Sequence, residues 1–230
     1  MTKLMANVEL VIFDCDGVLV DSESIINRVF ADTLTECGFP ITYAEVTRLF
    51  VGKSVATSIE ILQQIYGKPI PSNLLDLNRE RGIVAMKQEL KAIAGITEIL
   101  QALTLPKCVA SNSSPRHIRL ALELTGLLDY FDGKLYSCHH VDRPKPFPDV
   151  YLYAASQMGY APENCLVIED SVTGVQAGYA AGMTVLGYAP SHSDSSHRED
   201  LIAAGAKLVF EDMRQLPSFW ESQNLTGFGF

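Results

Sequence analysis

Val8 to Ser22 reads VELVIFDCDGVLVDS. Its first half alternates and then runs apolar, as a buried strand does, and the strand is followed at once by Asp14 and Asp16 with only Cys15 between them. On extended backbone, residues i and i+2 face one side, so the two carboxylates are expected to crowd into one volume and repel. A positive partner must offset them. Cys15 faces the other way on such a backbone and reads as core packing.

Outward from this stretch the chain has two textures. Residues up to about 90 read as helical throughout. Ile25, Ile26, Val29, Phe30 and Leu34 form one helical face that stops at Gly38, and Thr42 with Glu45 makes a capping box for a following helix. Ile59, Ile61, Leu62 and Ile65 continue the pattern to Gly67, and the segment from Leu74 to Leu90 carries Arg79 and Arg81. From Gly95 onward, short apolar runs at 107–111, 134–137, 165–169, 184–188 and 207–210 alternate with helical segments. Those segments are punctuated by Pro115 near a start and by Gly126, Gly159 and Gly182 near ends. Alternating strands and helices with near-continuous apolar strands imply an α/β fold, a Rossmann-like and mostly parallel sheet covered on both faces. The strand Glu9 to Phe13 belongs to that sheet. The expected organisation is therefore a core of residues 1–17 and 91–230, with residues 18–90 inserted as a second, helical domain.

Composition narrows the function. The chain has 230 residues, 47% of them hydrophobic, which suffices for a real core. Its 18 basic against 27 acidic residues give a net charge of -9 without a Lys/Arg stripe, which argues against a nucleic-acid partner or an anionic membrane surface. No run approaches the ~20 apolar residues of a membrane span, and the N-terminal residues lack a signal-type apolar block. Five scattered cysteines without CxxC spacing read as reduced thiols. A cytoplasmic protein, monomeric or weakly dimeric, is expected.

In open parallel sheets ligands bind beyond the carboxyl ends of the strands. Here those ends carry Asp14 and Asp16, then Ser111, Asn112 and Ser113, then Glu169, Asp170 and Ser171, with Lys145 presented between Pro144 and Pro146 in the loop RPKPFPD. Four carboxylates call for a cation, and oxygen-only donors favour a hard one, with carboxylates beside a phosphate characteristic of Mg²⁺. Ser111 followed by a helix start at Pro115 offers N–H groups and a dipole to a phosphate, and Lys145 adds a full charge. His139 and His140 point apart and lack a third ligand of suitable spacing, so they are left out.

The four segments DCDGVLVDS, ASNS, KPFPD and IEDS, in this order on successive strand ends, resemble the four motifs of the haloacid dehalogenase-like (HAD) superfamily. The helical insertion resembles the cap of its sugar-phosphate phosphatases and β-phosphoglucomutases. That resemblance implies a phosphatase acting on a small phosphorylated metabolite, a sugar phosphate or phosphosugar acid. It makes Asp14 the nucleophile that forms an aspartyl-phosphate. Asp16 becomes the acid that protonates the leaving alkoxide and then the base that activates water. It also implies Mg²⁺ held by Asp14, the backbone carbonyl of Asp16 and Asp170, with Glu169 direct or through water. Ser111, Asn112 and Lys145 would bind the phosphoryl group, and Gly17 would serve the tight turn after the acid/base.

In the cap, the loop FVGKS with Lys53, and separately Arg79, are candidate substrate contacts. Two departures bear on the reaction. The histidine that related phosphomutases carry five residues after the aspartate equivalent to Asp21 is Ile26 here, and their cap-loop arginine is replaced by Val55. Both weigh against a mutase. A dehalogenase or phosphonate-cleaving relative usually lacks the second aspartate. A receiver-like signalling module gathers similar groups around Mg²⁺ but has no helical insertion of about seventy residues.

Overall fold

The computed structural model describes residues 8–50, 55–191, 195–222 and 227–228. Six strands form one sheet: β1 (Leu10–Phe13), β2 (Lys107–Ser111), β3 (Leu135–Ser137), β4 (Cys165–Glu169), β5 (Thr184–Tyr188) and β6 (Leu208–Phe210). Their order is β3-β2-β1-β4-β5-β6 and every neighbouring pair is parallel. The sequence reading started three strands one residue early, at Glu9, Lys134 and Lys207. Two of those residues still exchange a backbone bond with a neighbouring strand, Val109 N to Lys134 O at 3.0 Å and Lys207 N to Val185 O at 2.8 Å.

All four residues of β1 and all five of β4 are buried, as expected of strands sandwiched between helices. Alternate residues serve opposite faces. Leu10 and Ile12 join a core with Val150, Tyr151, Ala154 and Val167, whereas Phe13, of the other parity, meets Phe131 edge-on with centroids 6.1 Å apart. The crossovers are helical: α5 (Ile96–Ala102) precedes β2, α6 (Pro115–Leu124) follows it, α7 (Asp149–Met158) precedes β4, and α8 (Val172–Ala180), α9 (Ser195–Ala204) and α10 (Leu216–Ser222) complete the unit. The chain leaves β1 toward β2 on one side and returns at β4 on the other. The carboxyl ends of β1 and β4 therefore flank the switch point, where such sheets place their ligands.

The chain divides into two compact units, Met1–Val20 with Lys91–Phe230, and Asp21–Leu90. Described by itself, the second is built of α1 (Glu23–Glu36), α2 (Tyr43–Phe50), α3 (Val55–Tyr66) and α4 (Leu74–Glu89). Its core gathers Ala31, Leu34, Phe39, Ile41, Val46, Phe50, Leu62 and Leu74. The Thr42–Glu45 capping box is present, with Thr42 N donating to Glu45 Oε2 at 2.8 Å and Glu45 N donating to Thr42 Oγ1 at 3.3 Å. Outside that core a hollow of about 320 Å³ is lined by Ser24, Ile25, Arg28, Tyr43 and Glu89. Arg28 is already engaged there, its Nη2 donating to both Glu89 oxygens at 2.7 Å.

Candidate active site

The sheet ladder delivers Asp14 to the site. Asp14 N donates to Ile168 O at 3.0 Å, one bond beyond the β1–β4 register, and the strand then gives way to a loop. Cys15, fully buried, accepts backbone bonds from Leu19 N at 2.9 Å and Val20 N at 3.2 Å, and Gly17 N closes on Val20 O at 2.9 Å. Gly17 has φ +81°, and a Cβ there would lie 2.0 Å from Asp170 Oδ2. Left-handed backbone and the close approach of an acidic side chain both require glycine.

The positive partner of Asp14 is Lys145. Its ammonium donates to Asp14 Oδ1 at 2.6 Å and to Glu169 Oε1 at 2.7 Å, and it lies 4.6 Å from the Tyr151 ring centroid. All of these groups are buried. Asn112 fixes the backbone that carries it: Lys145 N donates to Asn112 Oδ1 at 2.9 Å, and Asn112 Nδ2 donates to Lys145 O at 3.2 Å. Glu169 is held on both oxygens. Oε1 accepts from Lys145 and from Tyr151 OH at 2.9 Å, while Oε2 accepts from Ser171 N at 2.8 Å and Ser171 Oγ at 2.9 Å. Ser171 also caps α8 by accepting from Gly174 N at 3.0 Å.

Among the described residues, Asp14, Glu169 and Asp170 present carboxylate oxygens within 4.8 Å of one another. One ammonium facing two buried carboxylates leaves a surplus negative charge. Burial raises the Asp14 carboxyl, Lys145 pulls it down, Glu169 and Asp16 push it up again, and the balance stands at about 7. Burial acts against the Lys145 ammonium too, but Asp14 and Glu169 outweigh it and hold the lysine protonated, well above its ordinary range. Glu169 accepts from three further donors besides the lysine, whereas Asp14 accepts from the lysine and is raised toward neutrality. The surplus is the charge a cation would neutralise, and the donors are hard oxygens, so the residues fit a divalent ion such as Mg²⁺.

Asp16 departs from expectation. The argument that residues i and i+2 share a side holds only on extended backbone, and β1 ends at Phe13 with a bend at Cys15. The Asp16 carboxylate is bonded instead by the segment after β2. Ser113 Oγ donates to Oδ2 at 2.6 Å and His117 Nε2 donates to Oδ1 at 2.9 Å. Burial alone would depress His117, but the Asp16 bond and charge outweigh it and raise the imidazole above its ordinary value.

Ser111 is buried at the end of β2, and its Oγ accepts from Ser113 N at 3.0 Å. Arg79 lies exposed on α4 with Nη2 bonded to Asp76 Oδ1 at 3.0 Å. Lys53 lies outside the described residues. His140 serves its own turn, its Nδ1 accepting from Ser137 N at 3.2 Å. Sequence reasoning missed Tyr151 and His117. The latter was within reach of it, because Pro115 at a helix start makes Ser114 the cap and puts His117 in the same first turn.

The model of the haloacid dehalogenase-like hydrolases matches residues 8–182. The chain is 32% identical over 220 residues to the 6-phosphogluconate phosphatase of Escherichia coli, covering 95% of this chain and 97% of that protein. Among solved structures, a haloacid dehalogenase-like protein of unknown function from Agrobacterium tumefaciens superposes with a TM-score of 0.86 at 37% identity, covering 95% of this chain and all of the other. A HAD-family hydrolase from Deinococcus radiodurans, solved with bound phosphate and sodium, superposes at 0.81 with 36% identity over 96% and 99% of the two chains.

Proposed function

Because this chain belongs to the haloacid dehalogenase-like hydrolases, we propose that it is a Mg²⁺-dependent phosphatase of sugar phosphates, phosphosugar acids foremost, working through a phospho-aspartate. The observation that carries the reading is the buried Lys145 ammonium between Asp14 and Glu169, with Asp14 raised toward neutrality. The kinship to 6-phosphogluconate phosphatase supports the substrate class.

In this reading an Asp14 oxygen attacks phosphorus and the bond from phosphorus to the leaving alkoxide breaks as Asp16 gives that oxygen a proton. Water then attacks the phospho-aspartate, Asp16 takes a proton from it, and the bond to Asp14 breaks to release phosphate. Lys145 and Ser111 stabilise the transferring oxygens from fixed positions, which costs no reorganisation at the moment of reaction. Asp14, Asp170 and the Asp16 carbonyl would hold the ion. Glu169, whose acceptor positions go to Lys145, Tyr151 and Ser171, serves as counter-ion and brace of the lysine. When bound, the ion supplies charge neutralisation for phosphoryl oxygens. By its resemblance to the caps of related sugar-phosphate phosphatases, the helical unit is assigned substrate selection. Ile26 cannot accept a proton from a sugar hydroxyl, which favours hydrolysis over phosphoryl transfer to a second sugar.

The deciding experiment measures phosphate release from a panel of sugar phosphates, phosphosugar acids and small aryl or glycerol phosphates with Mg²⁺. A preference in kcat/KM for phosphosugar acids is expected. Activity confined to non-sugar phosphates would overturn the substrate assignment, and no release from any phosphomonoester would overturn the phosphatase reading.

A further inference from the structure

The acid/base carboxylate is gripped at both of its oxygens by one short segment, Ser113 Oγ at 2.6 Å on Oδ2 and His117 Nε2 at 2.9 Å on Oδ1. The segment is itself fixed. Ser114 caps α6 by accepting from His117 N at 3.3 Å, Pro115 occupies the first turn, and Ser137 Oγ at the end of β3 donates to Ser113 O at 2.6 Å. Asp16, by contrast, sits on the loop after β1, and its side chain is about a quarter exposed. Bonds to both oxygens restrict the two side-chain torsions of that carboxylate.

We propose that Ser113 and His117 are positioning residues that hold the Asp16 carboxylate in one orientation for proton transfer. The inference rests on the assignment of Asp16 as acid and base. Proton transfer requires the donor within hydrogen-bond reach of the leaving oxygen, and small misplacements of a catalytic group are costly. The chemistry separates this role from a purely structural tie. Protonation is needed when an alkoxide leaves and activation is needed when water attacks, but p-nitrophenolate departs without a proton. Losing the grip should therefore slow alkyl phosphates in both steps, and aryl phosphates only in the second.

The test compares His117→Ala, His117→Gln, Ser113→Ala and Asp16→Asn in the Mg²⁺-loaded full-length protein, with folding checked by fluorescence of the buried Trp220. First-turnover release of p-nitrophenolate is read by rapid mixing, and steady-state phosphate release is read with 6-phosphogluconate. His117→Ala and Ser113→Ala should each lower kcat on 6-phosphogluconate about 10- to 100-fold. First-turnover p-nitrophenolate release should stay within about threefold of wild type, followed by a slow phase as phosphoenzyme accumulates. His117→Gln, whose amide can donate where Nε2 does, should recover most of the loss. Unchanged 6-phosphogluconate turnover in both single variants, an equal loss of first-turnover aryl cleavage, or no rescue by glutamine would overturn the proposal. Full turnover of 6-phosphogluconate by Asp16→Asn would instead overturn the acid/base assignment, and this inference with it.

Discussion

Asp14→Asn should make the metal-free protein more stable while abolishing its activity, and the gain should depend on pH. Lys145 offers one positive charge to two buried carboxylates, at 2.6 Å and 2.7 Å. Glu169 is braced by further donors, whereas Asp14 accepts from the lysine, and burial first, with Glu169 and Asp16 adding, raises Asp14 from 3.8 to about 7 net of the Lys145 attraction. A carboxyl whose folded pKa lies above its unfolded one holds its proton more tightly in the native state. Stability is then fully present below about pH 4 and falls as pH rises toward about 7. At about 1.4 kcal/mol per tenfold change in acidity, the cost above pH 7 has an upper limit of about 4 kcal/mol. Asparagine has the same size and no charge at any pH, so it escapes that cost. Urea unfolding in excess chelator, followed by the single tryptophan, Trp220, should give equal midpoints near about pH 4 and a higher midpoint for Asp14→Asn at about pH 8. Added Mg²⁺ should narrow the gap by binding the wild type more tightly. A variant no more stable than wild type at the higher pH, or a difference that does not grow with pH, would refute the reasoning.

Chelation should stop phosphate release and Mg²⁺ should restore it, while Ca²⁺ should inhibit because its larger, looser coordination spoils in-line geometry; full activity with no bound metal by elemental analysis would contradict this. Asn112→Ala removes both bonds to the Lys145 backbone and should cost about 1–3 kcal/mol in urea unfolding together with a fall in kcat, since the loop that presents the ammonium is no longer fixed; unchanged stability and kcat would contradict this. β-Glucose 1-phosphate, with catalytic β-glucose 1,6-bisphosphate added, should yield glucose and phosphate; glucose 6-phosphate forming faster than free phosphate would show that Ile26 does not bar transfer to a sugar hydroxyl.

The local signals in this chain were strong enough to place its elements. Strand runs such as CLVIE are apolar because both faces of β4 are covered, and a parallel pair needs a helical crossover, so alternation alone implied the sheet. The motif residues could be assigned to strand ends because chain order and strand direction together put every such end on one side. What the sequence could not carry was direction and partnership at the scale of a single side chain. Asp14 and Asp16 lie two residues apart, yet one faces Lys145 and the other Ser113 and His117, because the strand stops at Phe13. Glu169 reads from the sequence only as an acidic residue at a strand end; in three dimensions it lies in one cluster with Asp14 and Asp170, and its oxygens also accept from Lys145, Tyr151 and Ser171. These contacts join residues 18 to 131 positions apart, apart from the local Ser171 bonds. Periodicity and propensity report on neighbours a few positions along the chain. Only the packed sheet brings such distant groups within hydrogen-bond reach.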